Sequence, residues 1–159
     1  MYPSKTAPER YADGIVHAVS LAGLMVAFMF LLPRASASGN SPVFAATMIY
    51  AAAILFSVSI SFAYHLLPRH EWRPVLRRWD HAAIYVVIAG TFSPLLTKAG
   101  TTSALTILAA IWTLACVGVW FKLSGDNGDS RWSLASYLWL GAFALMALPD
   151  FWTQLPQLT

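Results

Sequence analysis

Five long apolar runs, at about residues 14–32, 43–67, 79–97, 101–121 and 132–148, leave this chain few ways to fold. Each is close to the roughly 20 residues that a helix needs to cross a hydrocarbon core about 30 Å thick. In that medium every backbone N–H and C=O must find its partner inside the protein, which restricts spanning segments to helices and closed barrels. The runs lack the two-residue alternation of barrel strands and are therefore read as helices. Pro33-Arg34, Pro68 and Pro149 close the first, second and fifth; Trp79-Asp80-His81 opens the third, with Pro94 near its far end. The loops are at most about a dozen residues, too short to hold a soluble domain. The expected fold is a single all-α membrane domain over residues 1–159, a polytopic helical bundle of five transmembrane helices.

Composition narrows the function classes. The chain is 58% hydrophobic and only 11% charged, with a mean hydropathy of +0.60. Those values exclude a disordered chain, a basic nucleic-acid binder and an ordinary soluble enzyme. The net charge of +3 reads instead as an orientation signal. Lys5, Arg10, Arg69, Arg73, Arg77, Arg78, Lys122 and Arg131 all fall on one side of the five spans, and only Arg34 and Lys98 on the other. By the positive-inside rule the N-terminus is cytoplasmic, in a plasma (inner) membrane, with Trp72, Trp79, Trp120 and Trp132 near that interface. The first span can also be read as a signal peptide ending near Ala35-Ser36-Ala37. Its apolar run of about 19 residues exceeds the usual 7–15, which favours a retained helix. Cys116 is the only cysteine, which excludes an internal disulfide; it lies mid-span and reads as inert core.

The informative feature is a set of polar groups at one membrane depth. His17 lies about one turn inside the first helix. Ser61 and His65, at i and i+4, share a face near the end of the second. Asp80 and His81 open the third. At 1.5 Å per residue all five fall within roughly 10 Å of the cytoplasmic interface. Three histidines and a carboxylate at one depth form a candidate metal site, because zinc takes imidazole nitrogen and carboxylate oxygen.

Each of these residues also has a structural reading. Ser61 can bond back to a carbonyl one turn earlier. His65 suits a helix C-terminus, and Asp80 is placed as an N-cap. His17 can bond to a neighbouring helix, His81 can face the headgroups, and His70 beside Glu71 belongs to a solvated loop. Ala22-Gly23 and Ala89-Gly90 read as sites of close helix packing. Asp126 and Asp129 sit in a plain turn, without the spacing or terminal Glu of a calcium loop. No phosphate-binding loop, nucleophile elbow or paired-cysteine zinc motif occurs. No acid, Lys or Arg lies at mid-membrane to couple an ion, which counts against a transporter.

The segment Glu9-Arg-Tyr-Ala-Asp-Gly-Ile-Val-His17 resembles the N-terminal signature of the hemolysin III family, with Asp13 where an Asn is usual. Ser61-Phe-Ala-Tyr-His65, followed by Arg77-Arg-Trp-Asp80-His81-Ala-Ala-Ile-Tyr-Val-Val-Ile-Ala-Gly90-Thr-Phe-Ser-Pro94, resembles the family's most distinctive stretch. Tyr137-Leu-Trp-Leu-Gly141 is similar to a weaker one. The family groups with the progestin and adipoQ receptors and, more distantly, with alkaline ceramidases. The resemblance implies a seven-helix bundle with a zinc site near the cytoplasmic leaflet and a role in membrane-lipid homeostasis. It implies His65 as a zinc ligand, Asp80 as holder of a zinc-bound water and Ser61 as a second-sphere or transition-state group. The implied chemistry is hydrolysis of a lipid amide.

The family completes its zinc site with a His-x-x-x-His pair on the seventh helix. None of the four histidines here lies beyond His81. The chain is therefore expected to lack the last two helices and to hold an incomplete or weak zinc site, because catalytic zinc normally has three protein ligands. His17 and His81 are the residues available as substitutes. Three readings stay open: a truncated member, one completed by another subunit or oligomer, and a short form with a structural or regulatory role. The expected partners are membrane lipids and not nucleic acid. The alternative function is a non-enzymatic, receptor-like or membrane-perturbing bundle in which the polar cluster only secures packing.

Overall fold

The computed structural model describes residues 3, 6–125, 131–147 and 149. Among these residues the regular structure is entirely helical: α1 (Ala7–Ala37), α2 (Ser41–Leu66), α3 (Arg73–Ala99), α4 (Thr102–Ser124) and α5 (Arg131–Ala144), with single 3-10 turns at His70–Trp72 and Leu145–Ala147. Lys5 and the turn containing Asp126 and Asp129 lie outside the described residues, as do the side chains of Arg131 and Trp132.

Helices α1 to α4 are longer than the apolar runs that mark them, because their polar ends carry their own caps. Thr6 and Glu9 form a reciprocal capping box at the start of α1: the Glu9 N–H donates to Thr6 Oγ1 at 3.4 Å and the Thr6 N–H to Glu9 Oε2 at 3.1 Å. Asn40 Oδ1 accepts from the Val43 N–H at 3.1 Å, and Thr101 Oγ1 from the Ala104 N–H at 3.1 Å. Pro33 does not end α1, which runs on to Ala37; prolines are tolerated inside membrane helices. Gly100, at φ 66°, supplies the left-handed turn that closes α3.

The third helix corrects one expectation. Asp80 is not an N-cap, because α3 begins seven residues earlier, at Arg73-Pro74. Proline suits the first turn of a helix, where its missing N–H is not needed. The arginine-rich stretch that looked like loop is thus helical, and Asp80 lies about two turns inside it.

Four helices, α1 to α4, are long and apolar enough to cross a membrane. The fourteen residues of α5 and the three of its 3-10 turn reach roughly 27 Å, a little short of a 30 Å core. Each helix packs against the one before it, and α3 is central, touching α2, α4 and α5. The interior is built largely from small residues. Ala46, Ala51, Ala53, Ala82, Ala83, Ala89, Ala104 and Ala115 are buried, and Leu96 and Ile111 are the largest fully enclosed side chains among the described residues. Large apolar side chains such as Met29, Phe30, Leu55 and Phe121 point outward. Lipid is as apolar as these side chains, so helix association relies on close approach of small ones, which this interior provides. The protein is a polytopic α-helical membrane protein.

Two glycines show how close that approach is. A Cβ on Gly90 of α3 would stand 2.9 Å from Ala53 Cβ of α2, and one on Gly118 of α4 would stand 2.5 Å from the Tyr85 ring of α3. Gly23, in contrast, faces open space: a Cβ there would meet nothing within 4 Å, so the expected close packing is not found at Gly23. Cys116 is also displaced from its expected place: it is exposed on the outer face of α4, beside the buried Ala115. Ser93 joins α3 to α4 by donating to the Ala89 carbonyl at 2.9 Å while accepting from Trp112 Nε1–H at 3.0 Å.

Candidate functional site

The polar residues gather at the end of the bundle where α1 begins, α2 ends and α3 begins. His17 is buried, and its Nδ1 lies 2.7 Å from the main-chain oxygen of Asp13, one turn earlier in α1. A carbonyl can only accept, so Nδ1 carries the proton. His65 crosses from α2 to the same residue: its Nδ1 is 3.1 Å from Asp13 Oδ2, with both side chains about 30% exposed. The two imidazole rings stand 5.6 Å apart at a tilt of 40°. Phe62 meets His17 edge-on at 6.1 Å and Tyr64 meets His65 at 5.0 Å, giving the pair an aromatic surround.

The backbone beneath His65 is held from the other side by Arg73. Its guanidinium is buried and donates to the carbonyl oxygens of Tyr64, of His65 at 3.4 Å and of Leu67 at 2.7 Å. These are carbonyls of the last turn of α2, which have no acceptor role left inside the helix. A cation is also favoured at that end of the helix dipole.

Asp80 and His81 lead elsewhere. Asp80 is half-buried and within electrostatic reach of Tyr137 on α5. The Tyr137 hydroxyl donates to the His81 carbonyl at 3.0 Å. The Tyr137 ring lies 4.6 Å from that of Tyr85, whose hydroxyl is 2.6 Å from Ser136 Oγ. This tyrosine–serine group links α3 to α5. Ser61 is half-buried, while the hydroxyls of Thr47, Thr91, Ser93, Thr106 and Thr113 bond back one turn along their own helices.

Of the five residues singled out in the sequence, the structure thus brings His17 and His65 together through Asp13 and ties the His81 carbonyl to Tyr137 of α5. Asp13 and Arg73 are additions. The spacing of Asp13 and His17, at i and i+4, was a usable signal for the first. Nothing local marks Arg73 among its arginine neighbours.

The donor chemistry suits zinc: two imidazoles, each with Nδ1 engaged by an oxygen, is the outer arrangement usual around metal-bound histidines. The count does not suit it. Among the described residues, no three of His, Cys, Asp and Glu gather into a group that could hold a metal ion. No chemical step is derived through one.

Comparison with known proteins gives a consistent picture. The sequence family described as "Haemolysin-III related" matches residues 8–159. The chain is 28% identical over 151 residues to the "Hemolysin-3 homolog" of Bacillus subtilis (strain 168), covering 94% of this chain and 71% of the relative. It is 28% identical over 149 residues to the "Hemolysin-3" of Bacillus cereus, covering 92% and 68%. No solved structure matches it.

Proposed function

This chain belongs to the haemolysin-III-related family, and on that premise we propose that it acts in membrane-lipid homeostasis in the plasma membrane through a partial zinc-hydrolase-type site facing the cytoplasm. The observation that carries the reading is the His17–His65 pair, one ring from each of two helices, held at one end of an otherwise apolar bundle. Ionisable groups inside membrane segments are uncommon and tend to mark functional sites. His65 is the first ligand by resemblance, His17 is the neighbour available beside it, and Ser61 stands one turn from His65 on the same face. The reaction class that the resemblance implies is hydrolysis of a lipid amide. Asp80 and His81 remain in the proposed set as groups of the third helix.

With two imidazoles in place of three convergent donors, zinc is expected to bind weakly. Elemental analysis of the purified chain is expected to find well under one zinc per protein. One tightly held zinc per chain, lost in His65→Ala, would overturn the partial site and establish a complete one.

A second reading is favoured by the destination of Asp80 and His81. The hydrogen bond from Tyr137 to the His81 carbonyl, one residue from Asp80, ties α3 to α5 and serves helix packing, as a non-enzymatic bundle would require. Under this reading Ser61→Ala and Asp80→Asn change thermal stability in detergent and leave lipid turnover by cells unaffected. Under the first, the same variants abolish cleavage of an amide-linked lipid while melting within about 2 °C of the parent, as surface-like changes do. Measuring both quantities on both variants separates the two.

A further inference from the structure

We infer that the junction of α2 and α3 is a binding surface for an anionic phospholipid of the surrounding bilayer, with Arg69 holding the phosphate and Trp72 and Trp79 flanking the lipid. Arg69, Arg73, Arg77 and Arg78 crowd this junction, and the structure gives three of them different tasks. Arg73 is buried and donates to carbonyls at the end of α2. Arg78 turns to main-chain oxygens, those of Pro74 and of Leu123 at the end of α4, at 3.4 Å each. Arg69 instead stands outside the bundle, with 65% of its side chain exposed. Its guanidinium lies 5.8 Å from the centre of the Trp72 ring, within cation–π range.

Further along α3 the outward face is apolar. Trp72, Val75 and Trp79 follow one another at i, i+3 and i+7, so they share one side of the helix start, and all three are exposed. Phe56 of α2 widens this face by meeting Trp79 edge-on at 6.1 Å. A cation at the water's edge above roughly 10 Å of outward aromatic surface matches a phospholipid lying against the helix, phosphate on the guanidinium and acyl chain along the rings. The planar guanidinium suits that partner, because it can donate two parallel N–H groups to one phosphate. A choline headgroup suits it less: its quaternary ammonium would meet the guanidinium at the Trp72 face that it would otherwise seek. Glu71 Oε1 lies 3.7 Å from Arg69 Nη1 with both side chains more than half exposed, a weakly held pair that a phosphate can replace. None of the residues of the proposed hydrolase-type site takes part, so this surface stands whether or not that site does chemistry.

The test titrates the full chain, purified in an uncharged detergent, with dioleoyl phosphatidylglycerol or dioleoyl phosphatidylcholine and measures the lipid retained by native mass spectrometry. Phosphatidylglycerol is expected to be held about fivefold more tightly, the factor that one arginine near a headgroup contributes, and the preference should shrink as salt is raised. Arg69→Gln should remove the preference and leave both the phosphatidylcholine affinity and the melting temperature unchanged, because the side chain is exposed. Glu71→Gln should strengthen the preference, since it frees the guanidinium for phosphate. Trp72→Ala should weaken retention of both lipids, and Trp72→Phe less. Equal retention of the two lipids by the parent protein overturns the inference, and so does an Arg69→Gln protein that keeps the parent's preference. Displacement of phosphatidylglycerol by an equal concentration of glycerol 3-phosphate would assign the site to a soluble phosphate and overturn the lipid as its occupant.

Discussion

Replacing Arg73 with Met is expected to destabilise the protein by about 3 kcal/mol and to lower its melting temperature by roughly 10 °C. The side chain is 8% exposed, and its guanidinium serves three carbonyls at the end of α2. Methionine fills comparable volume, so the loss is one of hydrogen bonding and not of packing. What remains is a helix C-terminus whose last carbonyls lose their shared donor in a place where each unmet polar group costs about 1–3 kcal/mol. Arg73→Lys should recover only part of this. A lysine ammonium is a point donor, whereas the planar guanidinium spreads its N–H groups over several oxygens. Thermal unfolding in a single detergent provides the test. If Arg73→Met melts with the parent, the guanidinium is not what holds the end of α2.

The same substitution bears on the candidate site, because His65 belongs to the turn that Arg73 secures. A slackened α2 terminus lets the His65 ring drift from Asp13, so the nitrogen NMR signature at His65 should broaden while that of His17, anchored within α1, should not. This separates a role in holding the backbone from one in chemistry.

How far the sequence foretold this arrangement depends on the scale of the interaction. The spans were legible because uniform hydropathy over about 20 residues needs no knowledge of neighbours. The depth of His17 and His65 followed from the helical rise. What the sequence did not reveal was direction. A helix that is apolar all round carries no stripe to say which face is inward, and so Cys116 was assigned to a core it faces away from. For the same reason Gly23 and Gly90 looked alike, although one meets open space and the other a neighbouring helix. The pairing of Asp13 with His65 joins residues 52 positions apart and depends on the register of α1 against α2. Asp80 was misplaced for a different reason: the charged stretch before it resembled a loop, yet arginines continue a helix readily and Pro74 fits its first turn.

That register between helices is itself open to test at Gly90. Valine there is expected to cost about 2–3 kcal/mol, the range for forcing volume into a packed interior. The obstacles are Ala53 Cβ at 2.9 Å and Tyr50 Cα at 3.5 Å. Neither can rotate aside, because both are fixed to the α2 backbone, so α2 and α3 must move apart. Those two helices carry Ser61 and His65 on one side and Asp80 and His81 on the other, and the displacement therefore reaches the candidate site. Gly90→Ala should show a smaller effect, since the better helix propensity of alanine, about 1 kcal/mol, offsets part of the clash. Gly23→Val supplies the control: a Cβ at Gly23 meets nothing within 4 Å, so its melting temperature should stay near that of the parent. The stronger check is reciprocal. Ala53→Gly removes the methyl that a Gly90→Ala side chain would strike, and the double variant should recover stability lost by Gly90→Ala beyond the sum of the single effects. Strict additivity of the two changes, or equal melting of Gly90→Val and Gly23→Val, would mean that the α2–α3 contact does not pass through Gly90.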